Sequence, residues 1–301
     1  MGSQRSRRSR RRLVVPAVGA GIALGVAGIS TATPAGAVDI PVWHWNKKGG
    51  CSGISEPPTR DDGNCGGLEA SNFLLNAVTY ANPRPWHITL NEVCRPQMQS
   101  LEYYLASIGY SPYWIPTNVS ASVDSRCGQH GMAIFTLGTK IDSGYRLLTQ
   151  SNPAEGDRRK VFCVSSTSFI GPRKACTSHI TNKSSPGNIR TTQDIEIAQF
   201  ATTWRSSDPT VVGLDRNLID RPNHWGASYK EIDNANNGLG RGTYEAWAPA
   251  TSRAKLDWVW GSFNGNGAHG GLTVACELGG MSSTAGRYLS DHCFMAGAFR
   301  N

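Results

Sequence analysis

The stretch Thr210–Asn217, TVVGLDRN, constrains the fold most tightly. Val211 and Val212 read as a short buried strand, Gly213 opens a turn, and Asp215 and Asn217 follow two positions apart. In an extended segment residues i and i+2 face the same side, so a carboxylate and an amide can be presented together at a strand end. A D-x-N in such a place more often makes a turn or an Asx cap. The site reading gains weight because other strand-like segments of this chain also end on polar residues of the kind a metal–phosphate site needs.

The N-terminus reads as an export signal spanning residues 1–37. Arg5, Arg7, Arg8, Arg10, Arg11 and Arg12 form a cationic region, Leu13 to Ile29 is an apolar run, and Ala35, Gly36 and Ala37 make a small-residue cleavage site. Pro16 and several glycines interrupt the apolar run, which argues against a permanent span. SRRRLV at Ser9–Val14 also fits a twin-arginine export pattern loosely. The mature chain is expected to be secreted. Six arginines and no acid leave with the signal, so the formal charge of +8 falls to about +2, and net charge does not argue for nucleic acid. Arg158, Arg159 and Lys160 beside Arg173 and Lys174 read as a solvated hairpin face. All eight cysteines lie in the mature part, where an even count predicts disulfides. Pairing in chain order would join Cys51 to Cys65, Cys94 to Cys127, Cys163 to Cys176 and Cys276 to Cys293.

Asp39 to Asn46 alternates as a strand closing on an asparagine, and a Gly/Pro/Asp-rich loop follows. Leu68, Phe73, Leu74, Ala77 and Val78 recur at helical intervals until Asn82-Pro83 stops the run. Trp86 to Val93 reads as a strand closing on Glu92, and Arg95 to Ile108 as a helix stopped by Gly109. Strands are expected at 110–115, 132–137, 145–149, 161–168 and 174–181, the last carrying His179. A helix at Gln193–Trp204 leads into TVVGLDRN, and Ala227–Ala235 shows a weaker helical pattern. Ala254–Phe263 reads as a strand holding Asp257, and strands at 272–278 and 293–299 complete the chain, the second preceded by Ser290, Asp291 and His292. No linker divides this mixture, so one α/β domain of roughly 260 residues is expected.

Taken together, the strand-end polar residues are Asn46, Glu92, His179, Asp215, Asn217, Asp257, Asp291 and His292. Here the chain resembles the endonuclease/exonuclease/phosphatase superfamily, which includes DNase I. VWHWN is similar to its first strand ending in W-N, LNEV to its second strand with the metal-binding glutamate, and CTSHI to its T-H-L segment. VVGLDRN is similar to its G-D-F-N, KLDWVW to its K-I-D-Y-I-F and SDH to its closing S-D-H. Each motif is short, but six in order across nearly the whole mature chain are specific for the superfamily, though much less so for a substrate. Leu214 and Arg216 depart from the usual glycine and apolar residue around the aspartate, and Asn91 stands where glutamine is common. His44 and His130 match no position the superfamily uses and are read as ordinary structural histidines.

The resemblance implies a four-layer α/β/β/α sandwich of two packed mixed sheets flanked by helices, and a divalent-metal phosphodiesterase. Glu92 with Asn46 and Asp291 would offer hard oxygen ligands to Mg²⁺, with Ca²⁺ or Mn²⁺ as alternatives. Asp215 and Asn217 would orient water and hold a non-bridging oxygen, His179 and His292 would serve as base and acid, and Asp257 would fix the tautomer of His292. The expected substrate is nucleic acid, DNA or RNA, acted on by a monomer. The alternatives are a phospholipid diester of the sphingomyelinase type and a non-catalytic binding or toxin-like protein on the same fold. A lipid enzyme needs an exposed apolar hairpin, and Gly261–Gly271 offers only Phe263.

Overall fold

Strand β1 (Asp39–Asn46) shows how alternation builds the layers. Ile40 and Val42 face one way and cluster with Val211, Val259, Met295 and Phe299. Trp43 and Trp45 face the other way and pack on Leu74, Val78, Leu101 and Leu105. The computed structural model describes residues 39–47, 69–117, 129–150, 158–168, 171–182, 188–218, 224–226, 228–232, 243, 255–262, 269–275, 290 and 292–300. All of them belong to one compact unit, Pro34–Asn301.

The remaining described strands are β2 (His87–Cys94), β3 (Tyr110–Pro116), β4 (His130–Leu137), β5 (Thr139–Leu147), β6 (Lys160–Ser168), β7 (Gly171–His179), β8 (Thr210–Asp215), β9 (Lys230–Glu231), β10 (Asp257–Ser262), β11 (His269–Ala275) and β12 (Phe294–Arg300). They form two six-stranded sheets ordered β11-β12-β1-β2-β4-β3 and β5-β6-β7-β8-β10-β9. Pairing is parallel at β1/β2 and β7/β8 and antiparallel at the other described junctions, so both sheets are mixed. Helices α1 (Glu69–Tyr80) and α2 (Arg95–Ser107) cover the outer face of the first sheet through Ala70, Leu74, Met98 and Leu101. Helix α3 (Ile189–Arg205) covers the second through Ile197, Ala198 and Ala201 against Val212, Leu214 and Trp258. Tyr113, Ile134, Phe162, Val164 and Ala175 fill the space between the sheets on one side. This is the expected four-layer α/β/β/α sandwich. No helix among the described residues is long and apolar enough to cross a membrane.

Four sequence expectations change. Gly213, expected to open a turn, lies inside β8 and is paired with Thr177 on one side and Val259 on the other. Strand β5 begins at Thr139 instead of Tyr145, because it is an edge strand exposed along most of its length and needs no apolar run to mark it. The helical pattern at Ala227–Ala235 gives way, in its described part, to β9, where Ile232 donates its N–H to the Val259 carbonyl and extends the β10 ladder. The basic cluster is only in part a solvated face: Arg158 is exposed, and Lys160 and Lys174 are half-buried. Arg159 and Arg173 are buried, Arg173 lies 3.3 Å from the Trp86 ring centroid, and Lys174 pairs with Asp208 at 2.9 Å. Cys163 and Cys176 are joined across β6 and β7 as expected. Cys94 and Cys293 are also in disulfides, and the other three expected pairings involve Cys51, Cys65, Cys127 and Cys276, which lie outside the described residues.

Between the sheets polarity changes along the strands. On β1 the inward series is Ile40, Val42, His44, Asn46; on β8 it is Val211, Gly213, Asp215. The apolar end holds the layers together, and the polar end supplies a site. The changeover lies at Gly213, where an added Cβ would come within 2.1 Å of Thr89 Oγ1 and 2.8 Å of His44 Nδ1. Gly213 is therefore required by close approach of the other sheet. Gly213→Ala should cost about 1–3 kcal/mol of stability, read as a lower urea midpoint. His87, at the start of β2, is buried, and burial followed by the Arg173 charge lowers its pKa to about 3. The unfolded chain then binds a proton that the native state refuses, so stability is lost as pH falls from about 6.5 toward 3. Replacing His87 with Asn should remove up to about 2 kcal/mol of the acid sensitivity between pH 6.5 and 4.5, measured by urea unfolding at both values.

Candidate active site

Seven of the eight expected site residues are described, and they converge where the polar ends of both sheets meet; Asp291 lies outside the described residues. Asn46 ends β1, His179 ends β7, Asp215 ends β8 and Asp257 begins β10, and register pairs His179 with Asp215 and Asp215 with Asp257. Asn46 Nδ2 donates to Asp215 Oδ2 at 2.9 Å and lies 3.2 Å from Glu92 Oε1, tying two carboxylates from opposite sheets. His179 Nε2 lies 3.4 Å from Asp215 Oδ2 and 3.5 Å from Glu92 Oε1. His292 Nδ1 donates to Asp257 Oδ2 at 2.7 Å, which turns Nε2 toward Asp215 Oδ2 at 3.7 Å.

Local backbone devices aim these groups. Glu92 does not end its strand: it sits in a bulge between Leu90 and Val93 with φ of 53°, and a bulge is a means of re-aiming one side chain out of a ladder. The preceding Asn91 bridges the sheets, donating to the Ser178 carbonyl at 2.8 Å and accepting from Thr177 Oγ1 at 3.0 Å. Its amide thus holds the Glu92 bulge beside the strand of His179. Ser290 donates to the Asn46 carbonyl at 2.7 Å and accepts from the His292 N–H at 3.1 Å, stapling the end of β1 to the start of β12. Thr243 Oγ1 accepts the Asp257 N–H at 2.9 Å.

Asn217 departs from its expected geometry. Extension stops at Asp215, Asn217 has φ of 47°, and its N–H donates to Asp215 Oδ1 at 2.9 Å, an Asx turn. Its side-chain amide donates to the Ile180 carbonyl at 3.0 Å, so it secures the chain after His179 instead of standing beside the Asp215 carboxylate. Arg216 turns to the outer face and is buried, its Nε and Nη2 both reaching Oδ2 of Asp194 on α3, at 2.8 and 2.7 Å. Trp225 Nε1 and His224 Nε2 also approach that carboxylate, at 3.2 and 3.0 Å.

His44, expected like His130 to be an ordinary structural histidine, belongs to the site. It is fully buried, its Nδ1 lies 2.9 Å from Thr89 Oγ1, and its Nε2 lies 3.5 Å from Asp257 Oδ1. Asp257 is thereby flanked by two imidazoles. The available signal was the position of His44, two residues before Asn46 on the same strand face.

Electrostatics divides the two aspartates. Burial pushes Asp215 up to about 7; the His292 charge opposes this and the Asp257 charge adds to it. Burial alone would raise Asp257, but the charge and hydrogen bond of His292, with His44 behind them, hold it below the usual carboxylate range. His179 is held well below the ordinary imidazole range, first by burial and then by Arg159, His292 and His130. Asp215, Asp257 and His292 place one ligand-type atom each within 4.8 Å of one another and could hold a metal ion. The bond between Asp257 and His292 commits those two to each other, however, and Glu92 with Asn46 beside Asp215 is the oxygen-rich alternative. That donor set fits a hard cation such as Mg²⁺, Mn²⁺ or Ca²⁺.

Neither a family model nor a curated protein matches this chain by sequence. Solved structures do match it in shape. The human Nocturnin catalytic domain with bound sulfate superimposes with a TM-score of 0.61 at 18% identity, over 87% of this chain and 93% of that one. D. rerio TDP2 complexed with single-strand DNA product gives 0.62 at 16% identity, over 87% and 99%. An endonuclease/exonuclease/phosphatase from Beutenbergia cavernae gives 0.60 at 17% identity, over 87% and 71%. The fold is DNase I-like.

Within this DNase I-like frame, Arg216 is a local solution to a constraint on α3. Helical spacing puts Asp194 on the buried side with Ile197, Ala198 and Ala201, and a buried carboxylate needs a partner. Asp194→Ala would leave the Arg216 guanidinium buried without that carboxylate. The expected cost is about 3–5 kcal/mol, seen as a lowered urea midpoint.

Proposed function

We propose that this protein is an exported, divalent-metal-dependent phosphodiesterase that hydrolyses nucleic acid. One observation carries the reading: Glu92, Asp215, His179 and the His292–Asp257 pair, contributed by both sheets, form a chain of neighbours, His179 lying 3.5 Å from Glu92 and 3.4 Å from Asp215, and His292 3.7 Å from Asp215 and 2.7 Å from Asp257. The likeness to solved phosphodiesterase-fold structures supports the reaction class, and the arginine-rich segment 1–37 with its small-residue cleavage pattern supports export.

His292 accepts the proton of the attacking water at Nε2, because Nδ1 is committed to Asp257, whose charge stabilises the imidazolium that forms. The P–O bond to the leaving oxygen breaks in line with the attack, and that oxygen takes its proton from solvent. Asp215, close enough to both histidines and poised near 7 by burial, orients that water. His179, kept neutral by burial, donates to a non-bridging phosphate oxygen without carrying a charge that would hold the product. Asn46 keeps Glu92 and Asp215 at fixed separation. A Mg²⁺ held by Glu92 and Asn46 would neutralise charge developing on the phosphoryl oxygens.

The test is hydrolysis of supercoiled plasmid and of bis(p-nitrophenyl) phosphate by the disulfide-oxidised protein with Mg²⁺. The expected result is turnover that EDTA abolishes and that His292→Ala lowers about 100-fold or more. A folded protein that leaves plasmid, RNA, sphingomyelin and the small diester intact would overturn the reading.

A further inference from the structure

Register carries the catalytic row outward along the second sheet. Asp257 pairs with Asp215 and Asp215 with His179. Val161 pairs with Ser178, which places Lys160 opposite His179, and Lys160 pairs in turn with Leu147. Residues paired across a sheet share a face, so Lys160 and Leu147 stand on the face that carries His179 and Asp215. Tyr145, two residues from Leu147, stands there too, and its cross-strand partner Phe162 belongs to the core between the sheets.

Inward-facing side chains on the neighbouring strands, such as Phe162, Val164 and Ala175, are covered by the first sheet. Tyr145 and Leu147 are not: they remain 60% and 48% exposed. An apolar, aromatic strip thus continues directly from the catalytic row into solvent, with Leu147 two strands, or about 10 Å, from His179. Among the described residues on this face of β5 and β6 the charge is positive. Lys160 Nζ lies 5.5 Å from the Tyr145 ring centroid, and the exposed Arg158 comes two residues before. The acid of β5, Asp142, shares the opposite face with Gly144, whose position abuts Trp204 of α3.

We propose that Tyr145, Leu147 and Lys160 form a binding strip for an unpaired stretch of nucleic acid, leading a neighbouring phosphodiester into the catalytic row. The proposal rests on the phosphodiesterase reading above and names its substrate class. Continuity with the catalytic residues and positive charge beside an exposed ring fit a polyanion with flat bases, because any base can stack on an aromatic face while cations track the backbone. Bases stacked inside a duplex offer no such face, so the strip selects single strands or frayed ends.

Binding is measured without turnover, by anisotropy of a fluorescein-labelled single-stranded oligonucleotide in EDTA, for the wild-type protein, Tyr145→Ala and Tyr145→Phe. The expected result is a Kd about 5-fold or more higher for Tyr145→Ala, near wild-type for Tyr145→Phe, and insensitivity to either change for the matched duplex. Equal binding by wild type and Tyr145→Ala, no binding by wild type, or a Tyr145 effect confined to phospholipid vesicles would overturn the strip. Hydrolysis of bis(p-nitrophenyl) phosphate separates the two readings. If it proceeds equally in all three proteins while oligonucleotide binding ignores Tyr145, the strip fails and the phosphodiesterase reading stands. If wild type does not hydrolyse it yet binds the oligonucleotide through Tyr145, the catalytic reading fails and the strip stands.

Discussion

Everything at the site depends on how closely the two sheets approach at Gly213. Thr89 and His44 of the first sheet occupy the volume a side chain would take there. That contact sets the separation at which Asn46 can bond Asp215 on the opposite sheet, and at which Asn91 can reach the backbone of β7. On one side of it the interior is apolar, with Val42, Val211 and Val259 packed together. On the other it is a cluster of carboxylates, amides and imidazoles, several of them almost entirely removed from water. Burying such groups is tolerable only when each is bonded or charge-compensated, and a divalent cation at Glu92 would complete that compensation.

Burial also differentiates groups of like chemistry. Asp257, between His292 and His44, stays ionised, while Asp215, less well compensated, rises to about 7. One aspartate is thereby suited to fixing an imidazole and the other to handling water near neutral pH. The division follows from which strand end each occupies: Asp257 begins β10 beneath His44 and His292, and Asp215 ends β8 facing Glu92 and His179.

Much of this was legible in the sequence, because strand ends are local. DIPVWHWN has the observed bounds of β1, but β7 closes on His179, two residues before the expected end, and β8 runs through the expected turn at Gly213 to close on Asp215. The two-sheet sandwich was legible through motif order, which no single segment contains. What escaped depends on contacts between distant segments or on local departures from extension. His44 gains its meaning only from Asp257, more than two hundred residues later. Arg216, an oddity in its motif, is explained by a carboxylate on the buried side of α3. Glu92 looked like a strand terminus because a bulge leaves no mark in alternation, and Asn217 obeyed the turn preference of D-x-N over the extended geometry.

On the reading proposed above, the polar ends of the two sheets form a cation-dependent centre around Glu92. The most direct measurement is titration of the metal-free protein with Mn²⁺, followed by electron paramagnetic resonance of the free ion. The expected result is saturable binding that is lost in Glu92→Gln while the circular dichroism of the fold is retained. Saturable binding unchanged by Glu92→Gln, or no binding by the folded wild-type protein, would contradict it.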